Sequence, residues 1–171
     1  MTYDLHPLVV HFPIALLFLY SIIKIIPFQK WFPRISWKQL EQGLLLVGVL
    51  GAALALATGE TAEHLMRPNH VLVEMHSLFA GISTGVYGAL LFGELISMTR
   101  ALIERFISWL FVKKVLFAIE KILQHPVVGT LLAVVGLIAI SVTGVLGGVL
   151  AYGPSKDPFA SLVLSILGIQ L

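Results

Sequence analysis

The sequence predicts an all-α integral membrane protein: a bundle of four transmembrane helices in a single membrane domain, residues 1–171. Three observations carry this. Of the residues, 58% are hydrophobic and only 12% charged, with a mean hydropathy of +0.97, where a soluble domain is roughly a quarter charged. Four apolar stretches reach the ~20 residues that a spanning helix needs. Finally, nine of the eleven Lys and Arg residues fall on one side of those four spans, the asymmetry that sets membrane orientation.

The expected spans are about 8–26, 40–58, 71–98 and 126–152. The first stops at Pro27 and the second at Gly59-Glu60. The third carries Glu94 near its end, where a carboxylate reaches the interface or a nearby Arg100. The fourth opens at Pro126, a favoured first helical residue. Residues 99–125 are apolar but broken by Arg100, Glu104, Arg105, Lys113, Lys114, Glu120 and Lys121. They are expected to form an amphipathic cytoplasmic insert of two interfacial helices, with a re-entrant segment as the alternative. The C-terminal segment 158–171 is expected to be a short helix that lies at the interface, dips back into the bundle or docks on another subunit.

Lys24, Lys30, Arg34, Lys38, Arg100, Arg105, Lys113, Lys114 and Lys121 share the side of the 27–39 and 99–125 connections, leaving Arg67 and Lys156 opposite. The positive-inside rule makes that side cytoplasmic and places both termini outside. The first basic residue, Lys24, follows the apolar run, the reverse of a secretory signal, so residues 1–26 read as mature structure. The spans are glycine-rich. Gly81-x-x-x-Gly85 has the spacing that lets helix backbones approach closely, and some glycines would leave room for a flat cofactor.

The absence of cysteine removes disulfides, thiolate metal sites, iron–sulfur clusters and covalently attached haem. No Walker A loop, Gly-x-Gly-x-x-Gly, His-Glu-x-x-His or Gly-x-Ser-x-Gly is present, and nothing points to nucleic acid. The informative residues are histidines. Five of the six, His6, His11, His64, His70 and His76, fall at the outer side. A histidine at membrane depth is costly unless paired, liganded or facing a wet cavity. His11 and His76 lie at similar depth on two helices that run in the same direction. Two such imidazoles are what a bis-histidine haem b needs, one on each side of the iron. His6, His64 and His70, with Glu60, would tune that site or form a second one. His125, before Pro126, reads as a helix boundary.

The run His6-Pro7-Leu8-Val9-Val10-His11-Phe12-Pro13-Ile14-Ala15-Leu16-Leu17 resembles the signature opening of domain of unknown function family 2231, a group of multi-helix bacterial membrane proteins. Thr58-Gly59-Glu60-x-Ala62-Glu63 is similar to that family's acidic end of the second span, and His76 to its histidine near the start of the third. Gly147-Gly148-Val149-Leu150-Ala151-Tyr152-Gly153 is similar to its closing Gly-Gly-x-Leu-Val-Tyr, with Ala151 in the Val position. The resemblance covers about residues 5–153. It implies a multi-pass protein of the bacterial inner (plasma) membrane. Some relatives look joined to c-type cytochrome or other redox domains, which favours electron transfer.

The expected function is that of a membrane b-type cytochrome. It would hold one haem b, or two, between helices near the outer face, with His11 and His76 as axial iron ligands. Electrons would pass one at a time between the quinol pool and an outer redox partner. This is an electron-transfer or accessory role more than that of a stand-alone enzyme. The alternatives are a non-catalytic subunit of a larger complex or a homo-oligomer, without cofactor, and a His/Glu protein binding zinc or copper. All of them place the chain in contact with membrane lipid.

Overall fold

A computed structural model describes residues 6–66, 69–154 and 159–169, with side chains described for 9–59, 69–154 and 159–169. The chain forms α1 (His6–Ile25), a 3-10 turn at Phe28–Lys30, α2 (Trp37–Met66), α3 (His70–Phe106), α4 (Leu110–Leu123), α5 (Pro126–Tyr152) and α6 (Ala160–Ile166). No strand occurs among the described residues.

Local signals explain most of the boundaries. Pro27 follows the end of α1, and Pro126 opens α5, where its missing N–H is an orphan in any case. Asn69 caps α3: its side-chain oxygen accepts from the backbone N–H of Val71 at 3.0 Å and of Leu72 at 3.4 Å. Gly153, at φ 84°, ends α5 in a conformation that side-chain-bearing residues avoid.

Two boundaries differ from expectation. Helix α2 does not stop at Gly59-Glu60 but runs to Met66. A change to polar residues ends the apolar stretch without ending the helix, and one glycine costs only about 1 kcal/mol. Helix α3 continues unbroken through residues 99–106, so that part of the insert is not a separate helix. At 1.5 Å per residue its 37 residues reach about 55 Å, well beyond the ~30 Å hydrocarbon core. Only α4 is a new element, folding back on α3.

Three helical segments are long and apolar enough to cross a membrane: Trp37–Gly59, His70–Phe106 and Pro126–Tyr152. Val9–Ile25 of α1 is apolar but shorter. Helices α1, α2, α3 and α5 pack as a ring, α1 against α2 and α5, and α3 against α2 and α5. Its core is Leu17 and Tyr20 from α1, Leu45 and Ala52 from α2, Tyr87 and Leu90 from α3, and Ala133 and Ile140 from α5. The Ser21 and Tyr87 hydroxyls hydrogen-bond at 2.7 Å within it, and the Tyr20 and Tyr87 rings meet edge to face, 6.1 Å between centroids. The C-terminal helix docks back on the bundle: Ala160 and Leu164, one turn apart, bury against Leu72, Leu146 and Val149.

Close helix approach does not use Gly81 or Gly85, where an added Cβ would meet nothing. It uses Gly48, where a Cβ would fall 2.6 Å from the Leu17 side chain, and Gly136, where it would fall 2.7 Å from the Tyr87 ring.

At the basic end, buried carboxylates hold the helices together. Lys24 of α1 bonds Glu41 of α2 at 2.9 Å. Glu94 of α3, 5% exposed, accepts from Lys38 and from Gln42 Nε2 at 3.0 Å, both on α2. Lys38 also donates to Gln124, after α4, at 3.2 Å. Glu94 therefore turns to α2 and not to Arg100, which bonds Glu120 of α4 at 3.1 Å and Glu104 at 3.3 Å.

Removing one partner of a buried pair leaves the other charge uncompensated. Lys38→Met, which strands the Glu94 carboxylate, should cost about 3 kcal/mol. Glu94→Gln, which leaves a half-exposed lysine able to reach water, should cost about 1 kcal/mol. Unfolding titrations in mixed micelles would rank the two, and an equal or reversed order would contradict the assignment. Gly136→Ala should cost about 1–3 kcal/mol by pressing on Tyr87, and the same titration checks it.

Candidate functional site

At the end of the ring away from the buried carboxylates, the four helices open into a cavity of about 410 Å³. Its walls come from all four. Helix α1 gives His11, Pro13 and Ile14, α2 gives Ala52, Ala55 and Gly59, α3 gives His76, Ser77, Ala80, Ser83 and Thr84, and α5 gives Thr143, Gly144, Gly147, Gly148 and Tyr152. Small residues leave the space. Where the facing helix has a large side chain, as Tyr87 over Gly136, the gap is filled, whereas Gly144, Gly147 and Gly148 stand on the cavity wall.

His11 and His76 thus line one cavity, from α1 and α3. His76 is oriented by α5. Its Nδ1 lies 3.1 Å from the backbone carbonyl of Thr143. A carbonyl only accepts, so Nδ1 carries the proton and Nε2 of the neutral ring carries the lone pair. The carbonyl stands one turn beyond Ala139, whose own carbonyl accepts the Thr143 hydroxyl at 2.8 Å. A Cβ at Gly147 would lie 3.2 Å from the His76 ring carbon Cε1, so glycine there lets the imidazole lie against α5.

The other histidines are disposed differently. His70 begins α3 outside the cavity; its side chain is 86% exposed, with Glu74 at 3.9 Å. His125 occupies the N-cap position of α5 and makes no side-chain cap bond, consistent with a boundary residue. His6 and His64 belong to α1 and α2, but their side chains, like that of Glu60, lie outside the described residues. Among the described residues, no three His, Cys, Asp or Glu side chains are grouped to hold a bare metal ion. The α5 contribution is the part that histidine spacing does not reveal. Thr143 acts through its backbone carbonyl, and Gly147 acts by lacking a side chain. Only the glycine density of the fourth span signals it.

The arrangement offers one oriented imidazole with a basic nitrogen, a second imidazole on the same cavity, and a lining of small, mostly apolar residues. Two imidazoles on different helices could serve as the two protein ligands of a planar cofactor whose metal already has its other ligands.

No curated protein and no solved structure matches the chain. The family model described as "Predicted membrane protein (DUF2231)" matches residues 2–155, which takes in α1 to α5 and the whole described cavity. The chain belongs to the DUF2231 family of membrane proteins.

Proposed function

We propose that the cavity holds a b-type haem and that the protein transfers single electrons across the outer half of a bacterial plasma membrane, between quinol and an outer redox partner. One observation carries this reading: His11 and His76 line the same cavity, and His76 donates Nδ1–H to the Thr143 carbonyl. Histidines that ligate metals almost always donate their other ring nitrogen in this way, which fixes the tautomer and raises ligand basicity. The volume, about 410 Å³, lies in the ~300–1,000 Å³ range of small-molecule and cofactor sites. The haem would supply a one-electron iron couple. His11 and His76 would hold the haem through their imidazoles, which suits one-electron transfer more than oxygen chemistry. The apolar lining would keep water from the ring, and Tyr152, at the outer end of α5, would offer a hydroxyl to its polar edge. A zinc or copper site would need three or four protein ligands, more than the described cavity brings together.

The same proposal makes α1 a fourth span. Its 20 residues extend about 30 Å, the thickness of the hydrocarbon core, and it packs between α2 and α5. Four spans put both termini outside and the basic connections in the cytoplasm.

The decisive experiment is a dithionite-reduced minus oxidised visible spectrum of the purified protein, with haem measured per chain. The expected result is sharp b-type bands and at least one haem per chain, lost in His11→Ala and in His76→Ala. Gly147→Leu, which keeps both ligands and fills the cavity, should also lose the haem while retaining helicity. A featureless spectrum from protein produced with ample haem would overturn the reading and turn attention to a cofactor-free subunit role. For orientation, the chain has no cysteine of its own, so single cysteines report cleanly. Lys114→Cys should label only from the cytoplasmic side and His70→Cys only from outside; labelling of both from one side would contradict four spans.

A further inference from the structure

The basic end carries more charge than its own pairs consume. Lys24, Lys30, Arg34, Lys38, Arg100, Arg105, Lys113, Lys114 and Lys121 face only four carboxylates, Glu41, Glu94, Glu104 and Glu120. This is an excess of five positive charges. All four carboxylates are already engaged, by Lys24, Lys38 and Arg100. Among the described residues, Lys114 and Lys121 form no ion pair, and both are exposed.

Those two lysines stand on α4 beside a second feature. The inner face of α4 packs on α3 and buries Glu120. Its outward face is also apolar: Phe111 (78% exposed), Val115 and Ile122 form a ridge with Ala118 at the intervening turn. At 3.6 residues per turn, Lys114 and Lys121 lie about 70–90° round the helix from the centre of this ridge, on one side of it. The ridge continues at the α3–α4 corner into exposed Phe106, Trp109 and Leu110. Exposed Trp31 and Phe32, next to Lys30 and Arg34, repeat the combination on the α1–α2 connection.

We propose that the outward face of α4 is a binding site for anionic phospholipid headgroups in the leaflet at the basic end. The ridge and the corner aromatics settle at the acyl boundary, as amphipathic interfacial helices do. Lys114 and Lys121 extend from there to the phosphates. Uncompensated positive charge chooses anionic over zwitterionic lipid. The continuous apolar ridge chooses a lipid over a soluble anion. This inference rests on the chain crossing a membrane and not on the haem, so the two stand or fall separately.

The test uses the full chain in detergent, given equal amounts of phosphatidylglycerol and phosphatidylcholine, with retained lipid counted by native mass spectrometry. Wild-type protein should keep phosphatidylglycerol preferentially. Lys114→Gln and Lys121→Gln should each reduce that preference about fivefold, the equivalent of ~1 kcal/mol per cation near an anionic surface. Phe111→Ala, which keeps the charges, should lower retention of both lipids and preserve the preference. Equal retention of both lipids by the wild type, or an unchanged preference in the double lysine variant, would overturn the proposal. So would displacement of the lipid by inorganic phosphate at matching concentration, which would make the lysines a free-anion site. A stoichiometric protein lost from the double variant would reassign the face to a protein interface.

Discussion

The bundle depends on the pairing of Glu94. A carboxylate 5% exposed within an apolar protein is tolerable only when its charge and lone pairs are met. Lys38 and Gln42 meet them from α2, and Lys38 reaches on to Gln124 at the end of α4. One residue thereby ties α2, α3 and the entry to α5 at a single level. Lys24–Glu41 does the same for α1 and α2. A one-turn slip would break both ion pairs, and it would also drive Leu17 and Tyr87 out of the notches at Gly48 and Gly136. These contacts set the axial register of the ring.

That register is what places the two cavity histidines together. His76 lies 18 residues from Glu94, about 27 Å along α3, and His11 lies 13 residues from Lys24, about 20 Å along α1. A slip of one turn, about 5.4 Å, would move the Thr143 carbonyl off His76 Nδ1. It would also put a side chain where Gly147 now admits the imidazole. The charged end and the cavity end therefore act as clamp and site on the same rigid helices, although no residue belongs to both.

Much of this was legible in the sequence. The apolar runs place α5 at Pro126–Tyr152 as observed, because Pro126 and Gly153 punctuate it with unambiguous backbone chemistry. Matched depth singles out His11 and His76, and both reach one cavity. The limits have physical reasons. Hydropathy marks where the membrane environment ends, and α2 and α3 run on as helices past that point, since Glu, Ala, Leu and Arg remain good helix formers in water. The partner of Glu94 is a long-range choice: Arg100 is closer in sequence, but it lies on the same helix and is drawn to Glu104 and Glu120. Gly81-x-x-x-Gly85 has the spacing of a close contact, yet spacing does not say which face meets a neighbour. Gly48 and Gly136 are instead the sites where a partner helix inserts Leu17 and Tyr87.

The same glycines show how one composition builds both a seal and a cavity. A glycine in a packed helix makes a notch, and what the notch becomes depends on the opposing side chain. At mid-bundle the opposing residues are large. Leu17 fills the notch of Gly48, and Tyr87 fills that of Gly136 and spends its hydroxyl on Ser21. With Tyr20 and Leu45, these side chains are almost completely buried and form a floor between the cavity and the charged end. Above the floor the cavity lining from α2 and α3 is mostly alanines, serines and His76, Gly144 has only Ile14 at 4.0 Å, and the notches merge into open space. A floor of this kind suits a site that holds a cofactor or ligand in place. A transport path would need polar groups to continue through it, and at that level the Ser21 and Tyr87 hydroxyls are bonded to each other.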